Sequence, residues 1–103
     1  MNLSPMKKVT LVVERFLNKD IIRMLKDVGV TGYTTVASEG EGSRGVRASE
    51  FEGRDIRFET IVTPEMANEI LKRIERDFLE NFAVIAFVAD VEVLRRGKFS
   101  GED

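Results

Sequence analysis

The residues of this chain best suited to chemistry are Gly40-Glu41-Gly42-Ser43-Arg44-Gly45, which fit the pattern GxGxxG. Glycines let backbone N–H groups approach an anion closely. The Ser43 hydroxyl and the Arg44 and Arg47 guanidiniums add donors that suit phosphate. In a dinucleotide-binding unit this pattern opens a helix that leads to a parallel strand. Here residues 46–62 read as loop and then strand, which excludes that fold. Two readings remain, an anion-binding turn and a solvated hairpin loop. The same stretch sets Glu39, Glu41, Glu50, Glu52 and Asp55 against Arg44, Arg47 and Arg54. That mixture is either a soluble surface or a segment whose charges re-pair when a ligand arrives. Further on, Arg95, Arg96 and Lys98 follow the last apolar run. They are either a solvated basic tail or donors that reach phosphates across a subunit boundary.

Other chemistries are poorly served. The chain has neither cysteine nor histidine, which removes thiolate chemistry, the commonest neutral-pH acid/base group and the usual zinc ligands. Glu14, Glu59, Asp90 and Glu92 fall on strands, and paired carboxylates can transfer protons. No partnered nucleophile accompanies them, and there is no G-x-x-x-x-G-K-[ST] phosphate loop. No catalytic residue and no metal-ligand set is therefore predicted, and the chain is read as a binding protein rather than an enzyme. Its net charge of -2, from 16 basic and 18 acidic residues, argues against nucleic acid as a partner. Apolar runs fall far short of the roughly 20 residues of a membrane span, and the start has no signal-peptide pattern, so a cytoplasmic location is expected.

One domain of 103 residues must position these groups. Residues 1–6 read as a loose leader. Lys7–Glu14 alternates as a strand, with Val9, Leu11 and Val13 on one side and Thr10, Val12 and Glu14 on the other. Asn18 is placed to cap a helix whose stripe is Ile21, Ile22, Leu25 and Val28, and Gly29 ends it. Tyr33–Val36 is β-branched and aromatic, as in a strand. The polar stretch 38–54, with Gly40, Gly42, Gly45 and Gly53, is long for a hairpin loop, and such loops tend to be functional. Asp55–Val62 alternates again. Thr63-Pro64-Glu65 starts a second helix, with Met66, Ala67, Ile70, Leu71, Ile74 and Phe78 inward. Ala83–Val93 is the last strand, and residues 96–103 form a polar tail.

The order βαββαβ predicts an α+β, ferredoxin-like sandwich: an antiparallel four-stranded sheet with two helices on one face. The other face ought to be polar in a monomer. Instead the last strand is apolar on both sides, with Ile85, Phe87, Ala89, Val91 and Val93 on one and Val84, Ala86 and Val88 on the other. Val12 and Ile61 are expected to join the second set on the uncovered face. An apolar patch there points to an oligomer.

KKVTLVVE, VGVTGYTTV, GEGSRGVR, DIRFETIV and NFAVIAFVADVEVL together resemble the PII-like carbon-regulatory proteins of the SbtB type, from about Lys7 to Phe99. TGYTTV combined with GSRGVR is the specific part. A carboxysome-associated PII-like group is a close alternative, and a CutA-like trimeric module without nucleotide is a more distant one. The resemblance implies a homotrimer that binds an adenine nucleotide (AMP, ADP, ATP or cyclic AMP) in clefts between subunits. It further implies that the 38–54 stretch is a flexible T-loop contacting a partner, such as a membrane bicarbonate transporter, or that bicarbonate itself is bound. Gly32, Tyr33 and Thr34 would line the adenine and ribose region. Gly40, Gly42, Ser43, Arg44 and Arg47 would lie near the phosphates, with Arg95 as a further contact. Three departures qualify this. The tail KFSGED lacks the redox-active cysteines of some SbtB-type proteins, Val84 stands where a glycine is expected, and the Gly- and Lys-bearing phosphate loop of nitrogen-regulatory PII proteins is absent. A redox switch and 2-oxoglutarate sensing with Mg-ATP are accordingly not expected.

Overall fold

Val9, Leu11 and Val13 are all buried on one side of the first strand, β1 (Ser4–Glu14), and that strand forms the centre of the protein. A computed structural model describes residues 1–38 and 55–94 of the chain. A 3-10 turn (Arg15–Leu17) leads from β1 into α1 (Asn18–Val28). Then come β2 (Thr34–Ser38), β3 (Asp55–Val62), α2 (Pro64–Asp77) and β4 (Val84–Val93). The sheet has the order β2-β3-β1-β4, with every pair antiparallel, which is the expected ferredoxin-like arrangement. Among the described residues no helix is long and apolar enough to cross a membrane.

Register decides which side chains share a face. Leu11 stands between Phe58 and Ala86, Val13 between Ile56 and Val84, and Val9 between Thr60 and Val88. These rows meet Ile21, Met24 and Leu25 of α1 and Ala67, Ile70 and Ile74 of α2 in one core. Burying each large aliphatic side chain of this kind contributes about 1.5–3 kcal/mol. The opposite face runs through Val36, Arg57, Val12 and Ile85 in one row and Thr34, Glu59, Thr10 and Phe87 in the next. This corrects the expected grouping of β4. Val84, Ala86 and Val88 face the helices, whereas Val12 and Ile61 lie on the open face with Ile85, Phe87 and Ala89. Pairing alone settles this, because a one-residue slip would turn every side chain over.

Two local differences have physical reasons. The leader is not loose throughout, since Ser4–Met6 extends β1 beside Val91–Val93, and Met6 is buried. Pro5 is tolerated there because β1 pairs with β3 only from Lys7 onward and has a single neighbour at Pro5. Asn18 is already helical rather than a cap, because the 3-10 turn before it replaces a side-chain cap. Thr63 does cap α2, its Oγ1 accepting from the Met66 N–H at 3.2 Å, with Pro64 at the first position. Where β4 begins, Glu14 is only 4 % exposed, and its Oε2 accepts from the Ala83 N–H at 3.0 Å. That bond anchors the turn between α2 and β4.

Gly29 ends α1 in the left-handed region at φ 103°, donating to Leu25 and Lys26 carbonyls. A Cβ there would meet only Met66 Cε at 3.6 Å, so the constraint is the backbone and not a clash. Gly29→Ala is expected to lower stability by about 1–2 kcal/mol through the left-handed backbone alone, and Thr63→Ala by about 1 kcal/mol through the lost cap. Urea unfolding followed by circular dichroism measures both, and an unchanged midpoint for either variant contradicts its assignment.

Candidate functional site

β2 starts at Thr34, opposite Glu59, so the continuation of β3 through Thr60, Ile61 and Val62 has no β2 residue beside it. This notch in the sheet is where the chain leaving α1 passes. The result is a cavity of about 250 Å³ lined by Lys8, Gly32, Tyr33, Thr34, Glu59, Thr60 and Ile61. Its walls come from four segments: β1, the α1–β2 connection, the first residue of β2, and β3.

The apolar part is built around Tyr33. Its ring leans on Phe58 of the core at a centroid distance of 5.9 Å and an angle of 51°, and about a third of the residue stays exposed. Gly32 is open, with nothing within 4 Å of where a Cβ would sit. Thr60, only 4 % exposed, donates its hydroxyl to the Gly32 carbonyl at 2.6 Å.

The polar part is charged but internally matched. Glu59 Oε2 lies 3.2 Å from Arg57 Nε and 3.8 Å from Lys8 Nζ, so one carboxylate holds two cations. These groups are partly solvated, and such pairs contribute little stability. Their effect is local: both cations are drawn toward Glu59 and neither is fully free to meet an anion. The cavity thus offers an aromatic ring, the Thr34 hydroxyl and a carboxylate. That set suits a planar, hydrogen-bonding group better than a phosphate.

A second, larger cavity of about 530 Å³ lies between the start of β1 and the end of β4, lined by Pro5, Met6, Lys7, Pro64, Asp90, Val91 and Glu92. Lys7 Nζ contacts Asp90 Oδ1 at 2.5 Å, so its one cation is also paired. Among the described residues no cluster of three or more Asp, Glu, His or Cys is placed to hold a metal.

Of the residues singled out from sequence, Gly32, Tyr33 and Thr34 come together in the first cavity. Gly40, Gly42, Ser43, Arg44, Arg47 and Arg95 lie outside the described residues. Lys8, Thr60 and Ile61 were not anticipated, and Glu59 was noted only as a strand acid. Thr60 carried a readable signal, as the one hydroxyl in an inward series otherwise made of Ile56, Phe58 and Val62. Lys8 and Ile61 carried none, because cross-strand register brings them to the notch.

Residues 6–98 match the family described as nitrogen regulatory protein P-II. Among solved structures, the chain is similar to a PII-like signalling protein from Thermus thermophilus. The two share 44% identity over 96% of this chain and 99% of that one, with a TM-score of 0.81. It is also similar to CPII from Thiomonas intermedia, bound to ADP, AMP and acetate, at 28% identity over 96% and 98% of the two chains and a TM-score of 0.81. CPII bound to ADP and bicarbonate matches at 28% identity over 91% and 93%, with a TM-score of 0.79. With the family match spanning nearly the whole sequence and a PII-like structure sharing 44% identity, this chain is a member of the P-II family of signalling proteins.

Proposed function

We propose that the chain is a PII-like regulator that binds an adenine nucleotide, with the base and ribose end in the cavity beside Tyr33. The observation that carries this reading is the meeting of Gly32, Tyr33 and Thr34 around that cavity. At about 250 Å³ the space is smaller than the ~300–1,000 Å³ of whole small-molecule sites, so it suits one end of a ligand and calls for a second wall.

A second copy of the chain is the natural source of that wall. β4 is an edge strand, and its open side presents Ile85 at 45 % and Phe87 at 48 % exposure, with Val12 and Ile61 nearby. An apolar stripe of this kind along a free strand edge favours association. We take the assembly to be a homotrimer with the nucleotide at the seam. Arg44, Arg47 and Arg95, together with Gly40, Gly42 and Ser43, are the proposed phosphate contacts. The 38–54 stretch acts as the T-loop, changing arrangement with the ligand and engaging a partner from the cytoplasm. That mechanism requires the nucleotide to bind the two loop states with different affinity. A bicarbonate transporter is the proposed partner. Direct sensing of bicarbonate by a carboxysome-associated type of regulator is the second reading, favoured by the bicarbonate found with ADP in CPII. No catalysis is assigned.

Calorimetric titration with AMP, ADP, ATP and cyclic AMP, with and without bicarbonate, is expected to show saturable binding of at least one nucleotide. Absence of binding by all four leaves the trimeric module without nucleotide. Arg44→Ala combined with Arg47→Ala is expected to weaken binding at least about tenfold, given the strength of charge-assisted hydrogen bonds. An unchanged affinity removes these arginines from the site. Phe87→Asp is expected to shift the light-scattering mass from trimer toward protomer, and a wild-type chain that scatters as a single protomer refutes the assembly.

A further inference from the structure

We infer that Thr60 is a positioning residue: its hydroxyl holds the Gly32–Tyr33–Thr34 strap in the ligand-accepting place before any ligand arrives. The inference rests on the proposed role of the cavity beside Tyr33, but its structural half stands independently.

Thr60 occupies an apolar position. It faces the helices, stands opposite Val9 across the strand pair, and is flanked on its own face by Phe58 and Val62. Valine has the same shape and would suit that environment without leaving a hydroxyl to satisfy. A buried hydroxyl is costly unless bonded. Thr60 is bonded, and to one group, the Gly32 carbonyl, 28 residues away in sequence.

The strap needs such a tie. Residues 30–33 fall between α1 and β2 without regular structure. The Val30 N–H still donates to the Leu25 carbonyl and closes the end of α1. Beyond it, the Thr60 bond is the one hydrogen bond to residues 31–33 among the described residues. Tyr33 adds a ring contact to Phe58 but no polar tie. The strap forms one wall of the cavity and Thr60 another, so this single bond fixes the spacing of two walls. A wall fixed beforehand does not have to be ordered when the ligand binds, which raises affinity without any new contact to the ligand.

The chain carries its own reporter. It has one tyrosine and no tryptophan, so tyrosine emission reads the strap alone. In Thr60→Val the emission is expected to become more accessible to acrylamide and its anisotropy to fall, with the far-ultraviolet circular dichroism unchanged. Nucleotide affinity by calorimetry, using ADP and AMP as probes, is expected to weaken roughly five- to tenfold, the equivalent of one hydrogen bond. Thr60→Ser, which keeps the hydroxyl, is expected to match the wild type in both readouts. Thr60→Ala gives the same two readouts should the valine variant fail to fold. Tyr33 emission unchanged in a folded hydroxyl-less variant overturns the tie, and a loosened Tyr33 with undiminished affinity overturns the positioning role. If the wild type binds no nucleotide, the reading of the cavity fails, while the emission still decides whether the tie exists.

Discussion

Two helices can cover only one face of a four-stranded sheet, and the rest of this protein follows from that limit. β1 lies in the middle, so it must satisfy both sides at once. Val9, Leu11 and Val13 enter the helix-covered core, while Lys8, Thr10, Val12 and Glu14 point to the side the helices leave bare. Thr10 and Glu14 are nonetheless buried on that side, and Thr10 Oγ1 and Glu14 Oε1 have no hydrogen-bond partner among the described residues. The bare face is therefore divided. Toward β3 it carries Arg57, Glu59 and Lys8, and toward β4 it carries Ile85, Phe87 and Ala89. A face with a charged half and an apolar half is poorly suited to water as a whole and well suited to a partner surface that matches both.

The cavity is a by-product of unequal strand lengths. β2 has five residues against eight in β3, and the sheet is notched where β2 is missing. A flexible connection across such a gap would leave it either collapsed or open to water. The left-handed Gly29 turns the chain back at the end of α1, the Tyr33 ring rests on Phe58, and the Thr60 hydroxyl ties down Gly32. Each interaction is small, but together they convert irregular backbone into a defined wall.

The amino-acid sequence showed the elements well, because hydrophobic period and punctuation were unambiguous. β3 matched residue for residue, Thr63-Pro64 started α2 as its chemistry demands, and Gly29 ended α1. What escaped was whatever depends on pairing. Val12 and Ile61 share a face with Ile85 and not with Val84, a fact that exists only once β1 is set against β3 and β4. The strand segment Ser4–Met6 was hidden because its partner, Val91–Val93, is more than eighty residues away. Met24 was passed over in α1, although it lies on the buried stripe between Ile21 and Leu25. In the site, the strap residues were legible from their resemblance to a known pattern. Lys8 and Ile61 were not, since nothing local marks them.

On the proposed reading, charge limits where an anionic ligand can direct its phosphates. Lys8, in the cavity wall, and Arg57 both converge on Glu59, so adding a phosphate there would compete with a carboxylate already in place. A nucleotide seated with its base beside Tyr33 must then direct its phosphates away from Glu59, toward other guanidinium groups. If those belong to a neighbouring copy, binding and assembly become linked. A ligand that touches two protomers at once stabilises their contact by as much as the contact improves its own affinity. On the proposed reading, the sheet face that the helices cannot cover and the cavity beside Tyr33 would then be two parts of one requirement, met together when the protomers meet.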